Sequence, residues 1–389
     1  IPMPQRKILL FIEEHHLAMS RFAQKHDVDH PETCQLFADF IKDTDILTHL
    51  YVHTYCDTQG TAPGLWTGFK ETLLETLFRQ TKRLLVEKQA LIEYAEEHQR
   101  LLRDEIRAKG ELGLPESLID GHFVTLPPRY FMNLSTSEVT LHLQQVEKFL
   151  EHVNTERGKE LLMPIIHWED DKDRGFSLVT IVTWDRPGLF YRLAGAFTLT
   201  GLNILGTKAF SRADDITIDT FTVVNQNGGV VSDAKAQEKF NAEVRKTLVD
   251  LDRMLPRIEH QELNPKKSLL VTEPEVLDVP FPPKVNIVRE KNLGLIILEV
   301  QAKDSLGLLY KLTRAISHAD MDIVFVRLST ENSIAMDTFH IVRKEGDHII
   351  EDWELDRLKT ILIKIVEGQE GEEVQAKGNV RHDDMGEGI

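Results

Sequence analysis

The sequence predicts an α+β chain, with an all-helical stretch over about the first 150 residues and then two copies of a strand–helix–strand–strand–helix unit. Three observations predict it. Apolar residues of the first part recur at helical spacing and do not alternate for long. Beyond Gly158, β-branched apolar runs bounded by turn residues replace them. The order of these runs then repeats: a shift of 119 positions superposes Asp185 on Asp304, Gly188 on Gly307, Leu189 on Leu308, Tyr191 on Tyr310, Leu193 on Leu312, Ala196 on Ala315 and Ile204 on Ile323. A shift of 118 superposes Asp219-Thr220-Phe221 on Asp337-Thr338-Phe339, so the second hairpin is one residue shorter.

In the helical part, Ile8, Leu9, Phe11, Ile12, His16 and Met19 form a stripe that predicts a helix from Arg6 to about Arg21. Leu73, Leu77, Leu84, Leu91, Ala95, Leu102 and Ile106 continue the pattern, with breaks at Gly60-Pro63-Gly64, Pro115 and Pro127-Pro128. Ser135-Thr136-Ser137-Glu138 is a capping-box pattern that starts another helix. The first unit places strands at Ser177–Trp184, from Gly201, and at Ile218–Val224, with helices after Gly188 and over about 233–251. The second opens with a strand at Leu295–Lys303. Residues 256–283 hold six of the 15 prolines, and Lys284–Val288 reads as a strand completing the first unit, which leaves the second without an obvious last strand. Glu367–Ile389 is acidic and glycine-rich and reads as a disordered tail. The expected boundaries are 1–155, 174–290, 294–368 and 369–389.

At 389 residues the chain is long enough for two or three domains, each with its own core. A formal charge of −17 (46 Lys and Arg against 63 Asp and Glu) argues against nucleic acid or an anionic membrane as the main partner. No apolar run approaches a membrane span. Two cysteines, Cys34 and Cys56, make neither a disulfide framework nor a metal knuckle, which fits a cytoplasmic location. The opening Ile1-Pro2-Met3-Pro4 has no signal pattern and reads as part of a longer or processed protein.

Each unit sets Asp-x-x-Gly-Leu between a strand and a helix. Gly188 and Gly307 allow the turn, and the first helical amides with the helix dipole suit an anion such as an amino-acid carboxylate. Asn203, and Asp322 in the second unit, head the next strand and suit the ammonium. The competing reading is that Asp185 and Asp304 cap their helices and nothing binds. In the helical part, His26-Asp27 in the polar run Lys25–Pro31 reads as a surface loop, while His16 and Asp57 lie on mostly apolar segments and are the better metal candidates.

Asp-x-x-Gly-Leu with Gly201-Leu202-Asn203-Ile204 a dozen residues on resembles the ACT domain, a family of ferredoxin-like βαββαβ modules that bind amino acids at domain interfaces. The second unit departs from it at Asp320-Met321-Asp322-Ile323. His16-Leu17-Ala18-Met19-Ser20, Leu50-Tyr51-Val52, Asp57-Thr58-Gln59-Gly60-Thr61 and Leu65-Trp66 look like the second half of the HD domain of bacterial PII uridylyltransferase/uridylyl-removing enzymes. Pro127-Pro128-Arg129-Tyr130-Phe131 resembles that family's segment between HD and ACT regions. The resemblance covers about residues 8–366. It implies a C-terminal part with the fold of an all-helical HD remnant and two ACT domains, amino-acid contacts at Asp185, Gly188, Leu189, Asn203, Ile204, Asp304, Gly307, Leu308 and Asp322, and His16 and Asp57 as metal ligands.

It further implies L-glutamine as effector, the PII protein and UTP or UMP as partners, and Mg2+ or Mn2+ in the complete enzyme. The transferase motif, a Gly-Ser followed by paired aspartates, and the upstream HD half do not occur in this sequence, so neither catalytic site is complete in it. The alternative reading is a non-enzymatic tandem-ACT regulatory module. The guanosine-polyphosphate hydrolase/synthetase family also joins HD to ACT, but nothing between Asp57 and Ser177 fits its intervening domains.

Overall fold

The computed structural model describes residues 3–61, 65–87, 91–108, 113–131, 134–157, 161–249, 256–258, 282–290, 294–331, 334–343 and 350–369. Apart from Gln369, the expected tail 369–389 lies outside them, as does most of the proline-rich 256–283. The chain is a mixture of helices and antiparallel sheet. Its helical part comprises α1 (Met3–His15), α2 (Ala18–Lys25), α3 (Pro31–Ile41), α4 (Thr44–Thr61), α5 (Gly68–Glu87), α6 (Leu91–Ala108), α7 (Glu116–Thr125), α8 (Pro128–Phe131) and α9 (Thr136–Thr155). The single helix expected over Arg6–Arg21 is two, broken at His16-Leu17, so that Met19 and Ala23 of α2 turn into a core with Phe37, Leu47, Leu50, Leu74 and Leu77. The Ser135/Glu138 capping box forms as its spacing predicts.

Beyond α9 come β1 (Ile165–Asp171), β2 (Phe176–Trp184), α10 (Leu189–Thr200), β3 (Asn203–Ser211), β4 (Ile216–Val224) and α11 (Ala234–Val249). The second unit follows as β5 (Lys284–Glu290), β6 (Leu295–Lys303), α12 (Leu308–His318), β7 (Met321–Arg327), β8 (Thr330–Glu331), β9 (Ile334–Arg343) and α13 (Asp352–Val366). One antiparallel sheet runs β1-β2-β4-β3-β7-β9-β6-β5, with the short β8 added to β9. The repeat expected from sequence is therefore present as β2-α10-β3-β4-α11 and β6-α12-β7-β9-α13.

The outer strand of each unit differs from expectation. The strand at Lys284–Glu290 forms, but it pairs with β6 of the second unit rather than completing the first. The corresponding place in the first unit is taken by β1, paired with β2. Both are hairpins, and Gly175 (φ 79°) and Gly294 (φ 62°) stand in the left-handed region just before β2 and β6. A short hairpin closes at less entropic cost than a return across the sheet, so the strand before each repeat fills the slot that a strand after it was expected to fill.

Alternation along the strands gives the sheet two apolar faces. Val179, Ile181, Phe221 and Val223 pack with Leu193 and Phe197 of α10 and Phe240 and Val244 of α11. Val182, Ile216 and Ile218 point the other way, into a core with Val139, Leu143 and Phe149 of α9 and Phe131 of α8. The second unit repeats the first arrangement with Leu298, Phe339, Leu312, Leu358 and Leu362.

The Lys25–Pro31 loop is not the solvated loop expected. It lies against the sheet face opposite α10–α13: Lys25 pairs with Glu299 (2.6 Å), Lys208 with Asp29 (2.8 Å), and His340 Nε2 donates to the Lys25 carbonyl (3.0 Å). Arg327 is buried there over the rings of Phe69 and Phe325. Burial pulls its guanidinium down to about 10 against the attraction of Asp27 and Asp29. Gly206 faces Phe69 at a distance where a side chain would crowd the ring.

Arg327→Met keeps much of the ring contact but strands the Asp27 charge, and should cost about 3 kcal/mol in a denaturant melt. Adding Asp27→Asn should recover part of that loss. A double variant no more stable than the single one would show that the charge is not what the arginine compensates.

Candidate functional site

Both Asp-x-x-Gly turns have the same build. Gly188 (φ 73°) and Gly307 (φ 79°) occupy the N-cap positions of α10 and α12, and no side chain caps either helix. The capping reading of Asp185 and Asp304 is therefore not what the structure holds. Asp185 Oδ2 instead accepts from Ser211 Oγ (2.5 Å), while the Asp185 N–H donates to the Asp215 carbonyl (2.7 Å). The Asp304 carboxyl accepts in the same way from Thr330 and the Ser305 amide. In each unit the motif aspartate is thus fastened at or just beyond the far end of the next strand, and the first helical amide is taken inside the turn, Leu189 N–H by Arg186 O and Leu308 N–H by Ser305 O (both 3.1 Å). Leu189, Leu308 and Ile204 are buried anchors of the turns and the strand.

Asn203 is exposed and Asp322 half-buried, each at the start of its strand. Neither meets the glycine turn of its own unit. Asn203 and Ser211 are the two ends of β3, roughly 26 Å apart at strand rise. The units instead lie side by side through β3 and β7. The β3–β7 register pairs Gly206 with Arg327 and Lys208 with Phe325, and the Leu328 N–H donates to Leu205 O (3.1 Å). The antiparallel join runs the Ser211 end of β3, and with it Asp185, toward the Asp322 start of β7. It runs the Asn203 start of β3 toward the end of β7, just beyond which lies Thr330, the partner of Asp304.

The two turns differ in what covers them. A Cβ on Gly188 would run first into the ring of Tyr191 in its own helix, whereas one on Gly307 would stand 2.6 Å from Cγ2 of Ile258. Ile258 is fully buried beside Tyr310. The preceding Arg257 holds the segment to Glu243 of α11 (2.8 Å). Ile258 thus sits on the second turn, and the same cluster takes in Tyr191 and Leu199 of α10.

Beneath each turn lies a buried carboxyl that sequence reading registered only as a repeat landmark. Burial pushes Asp219 up to about 7, against the Thr217 hydroxyl that it accepts from (2.7 Å) and helped by the Asp185 charge. Burial, with Asp304, holds Asp337 well above the carboxylate range. Ser211 and Thr330 were missed as site residues, although the shift of 119 positions puts Thr330 opposite Ser211 and so hints at the shared hydroxyl.

The metal candidates are less assembled. His16 lies at the α1–α2 break, with Nδ1 at 3.2 Å from Glu13 O and its ring 5.9 Å from that of His53 on α4. Asp57 is exposed one turn after His53. Among the described residues no three His, Cys, Asp or Glu side chains stand in position to hold a metal ion. The two donors do not fit a complete catalytic centre, which needs three protein ligands. Also among the described residues, no helix is long and apolar enough to cross a membrane.

Asp219 gives a signed pH dependence. The unfolded chain releases this proton near 3.8 and the folded chain near 7, so stability falls as pH rises between the two. Asp219→Asn should remove that slope, and its gain over the native chain should grow by about 2 kcal/mol between about pH 5 and about pH 8 in urea melts. Parallel pH profiles would place the ionised carboxylate in the native fold.

No family model matches the chain. Curated relatives do. Proteins named bifunctional uridylyltransferase/uridylyl-removing enzyme are 25% identical to it in Erythrobacter litoralis (350 residues), 27% in Gluconobacter oxydans (361 residues) and 29% in Aromatoleum aromaticum (346 residues). These alignments cover 90%, 90% and 85% of this chain but only 36%, 35% and 36% of the relatives. The chain thus spans about a third of the length of the relatives it matches. The resemblance carried by the motifs is borne out: over about 90% of its length this chain is similar to bifunctional uridylyltransferase/uridylyl-removing enzymes, in a manner consistent with their C-terminal part.

Proposed function

We propose that this chain is the sensing end of a nitrogen-regulatory uridylyltransferase/uridylyl-removing enzyme, in which the two repeated units are ACT domains that bind L-glutamine. The observation that carries the reading is the placement of the two Asp-x-x-Gly turns at the junction of the units, in a chain similar over 90% of its length to such enzymes. The ligand carboxylate takes the first-turn amides beyond Leu189, whose own N–H is held by Arg186 O, with Leu189 and Ile204 keeping turn and strand in place. Asp185 and, from the other unit, Asp322 take the ammonium. Asp304, Gly307 and Leu308 with Asn203 form the mirrored place, which Ile258 covers. Selection of glutamine over glutamate falls to groups that hydrogen-bond the side-chain amide, since an unmatched buried partner is costly.

In the complete enzyme, His16 and Asp57 would supply two ligands of a Mg2+ or Mn2+ centre for removing UMP from the PII protein, with UTP consumed by a separate transferase domain in the cytoplasm. Two donors do not hold such a metal alone, so the activity of this chain is sensing rather than hydrolysis.

Calorimetric titration of the chain with L-glutamine and L-glutamate tests the reading. Glutamine should bind once per chain, glutamate at least about 10-fold more weakly. Asp185→Asn should weaken binding by about 1–3 kcal/mol, while Asn203→Ala, at the other end of the sheet, should leave it unchanged. No heat with glutamine, or loss of binding in Asn203→Ala with Asp185→Asn silent, would contradict the assignment.

A further inference from the structure

Between α7–α9 and the β3–β4 turn runs a chain of buried polar side chains to which nothing above gives a role. Arg212 Nη1 lies 3.1 Å from His122 Nδ1, His122 Nε2 3.0 Å from Tyr130 Oη, and Tyr130 Oη 2.7 Å from His142 Nδ1. All four residues are at most 6% exposed. Arginine can only donate, so His122 Nδ1 accepts and its proton is on Nε2. Tyr130 then accepts from His122 and must give its own proton to His142 Nδ1. Every link therefore points the same way, and the direction is set by the guanidinium. Burial, joined by the Arg212 charge, holds His122 neutral, and burial with Lys208 and His167 draws His142 down to about 4.

The other end of this chain reaches the first Asp-x-x-Gly turn. Arg212 is clamped by Asp214 (2.9 and 2.8 Å), and the Ala213 N–H donates to Thr125 O at the end of α7 (2.9 Å). Ser211 and Asp215, on either side, are the two partners of Asp185. The five-residue turn is thus fastened to Asp185 on one side and to α7 and the His–Tyr–His chain on the other.

We propose that the β3–β4 turn with Arg212, His122, Tyr130 and His142 is a coupling device that passes changes at Asp185 to α7 and, through Tyr130, to α9. A ligand ammonium that draws Asp185 from Ser211 frees one side of the turn. The guanidinium shifts, and each downstream hydrogen bond follows because none can reverse its donor. Only the ligand part of this rests on the amino-acid reading of the site.

Hydrogen exchange read by mass spectrometry on the full chain tests it without any activity. Ser211→Ala, an exposed change that cuts the tie to Asp185, should speed exchange in both α7 and α9 by about 5-fold or more. In the Tyr130→Phe background, which keeps the ring, the effect of Ser211→Ala should persist in α7 and vanish in α9. His142→Leu removes the last acceptor and should give the same loss, so a poorly folding Tyr130→Phe does not decide the matter alone. Saturating L-glutamine should move α7 and α9 in the native chain and α7 alone in Tyr130→Phe. An α9 unmoved by Ser211→Ala, or an α9 response that survives both cuts, overturns the device. A full response to Ser211→Ala with none to glutamine upholds the device and removes the amino-acid reading instead.

Discussion

Two strands that would each be the edge of a separate four-stranded sheet, β3 and β7, hydrogen-bond to one another over Gly206–Lys208 and Phe325–Arg327. Because the pairing is antiparallel, the strand starts lie at opposite ends of the join. Each unit's glycine turn consequently faces the other unit's strand start, and the two candidate places are related by an approximate two-fold. The join also sets Lys208 and Arg327, one from each unit, on the same face of the sheet. There they meet Asp29 and Asp27 of the helical part. Without the join, neither the proposed cross-unit site nor the docking of the Lys25–Pro31 loop has both of its halves.

The approximate symmetry is broken where the chain has to cross from one unit to the next. Arg257 and Ile258 lie on that crossing, one held by Glu243 and the other buried against Gly307 and Tyr310. The first unit is also engaged from the opposite side, by α7–α9, through Ile216 and Ile218 in the apolar core and Arg212 in the polar chain. Duplication of sequence has thus given two turns of the same geometry with different neighbours. Unlike neighbours, as well as the departure at Asp320-Met321-Asp322-Ile323, distinguish the two turns.

What the sequence made legible follows from what is local. The repeat, the glycine turns and the Ser135 capping box depend on residues within a few positions of one another, and they appear as read. β1 was not recognised because Ile165-Ile166-His167-Trp168 is short and runs into an Asp-rich turn, and its absence from the reading sent Lys284–Glu290 to the wrong unit. The pairing of Asn203 with Gly188 failed for a related reason: the two are 15 positions apart in the chain but at opposite ends of α10. The Arg212–His122 contact joins residues 90 positions apart with no periodic signal to announce it. The charge on the Lys25–Pro31 loop looked like solvation because its counter-charges lie hundreds of residues away on the sheet.

A crystal structure of the chain grown with L-glutamine tests the central claim most directly. The account predicts β3 paired with β7 and ligand density between the Asp185–Gly188 turn of the first unit and Asp322 of the second, with Ile258 still seated over Gly307. Ligand held by Gly188 and Asn203 of one unit, or a β3–β7 edge left unpaired, would contradict it.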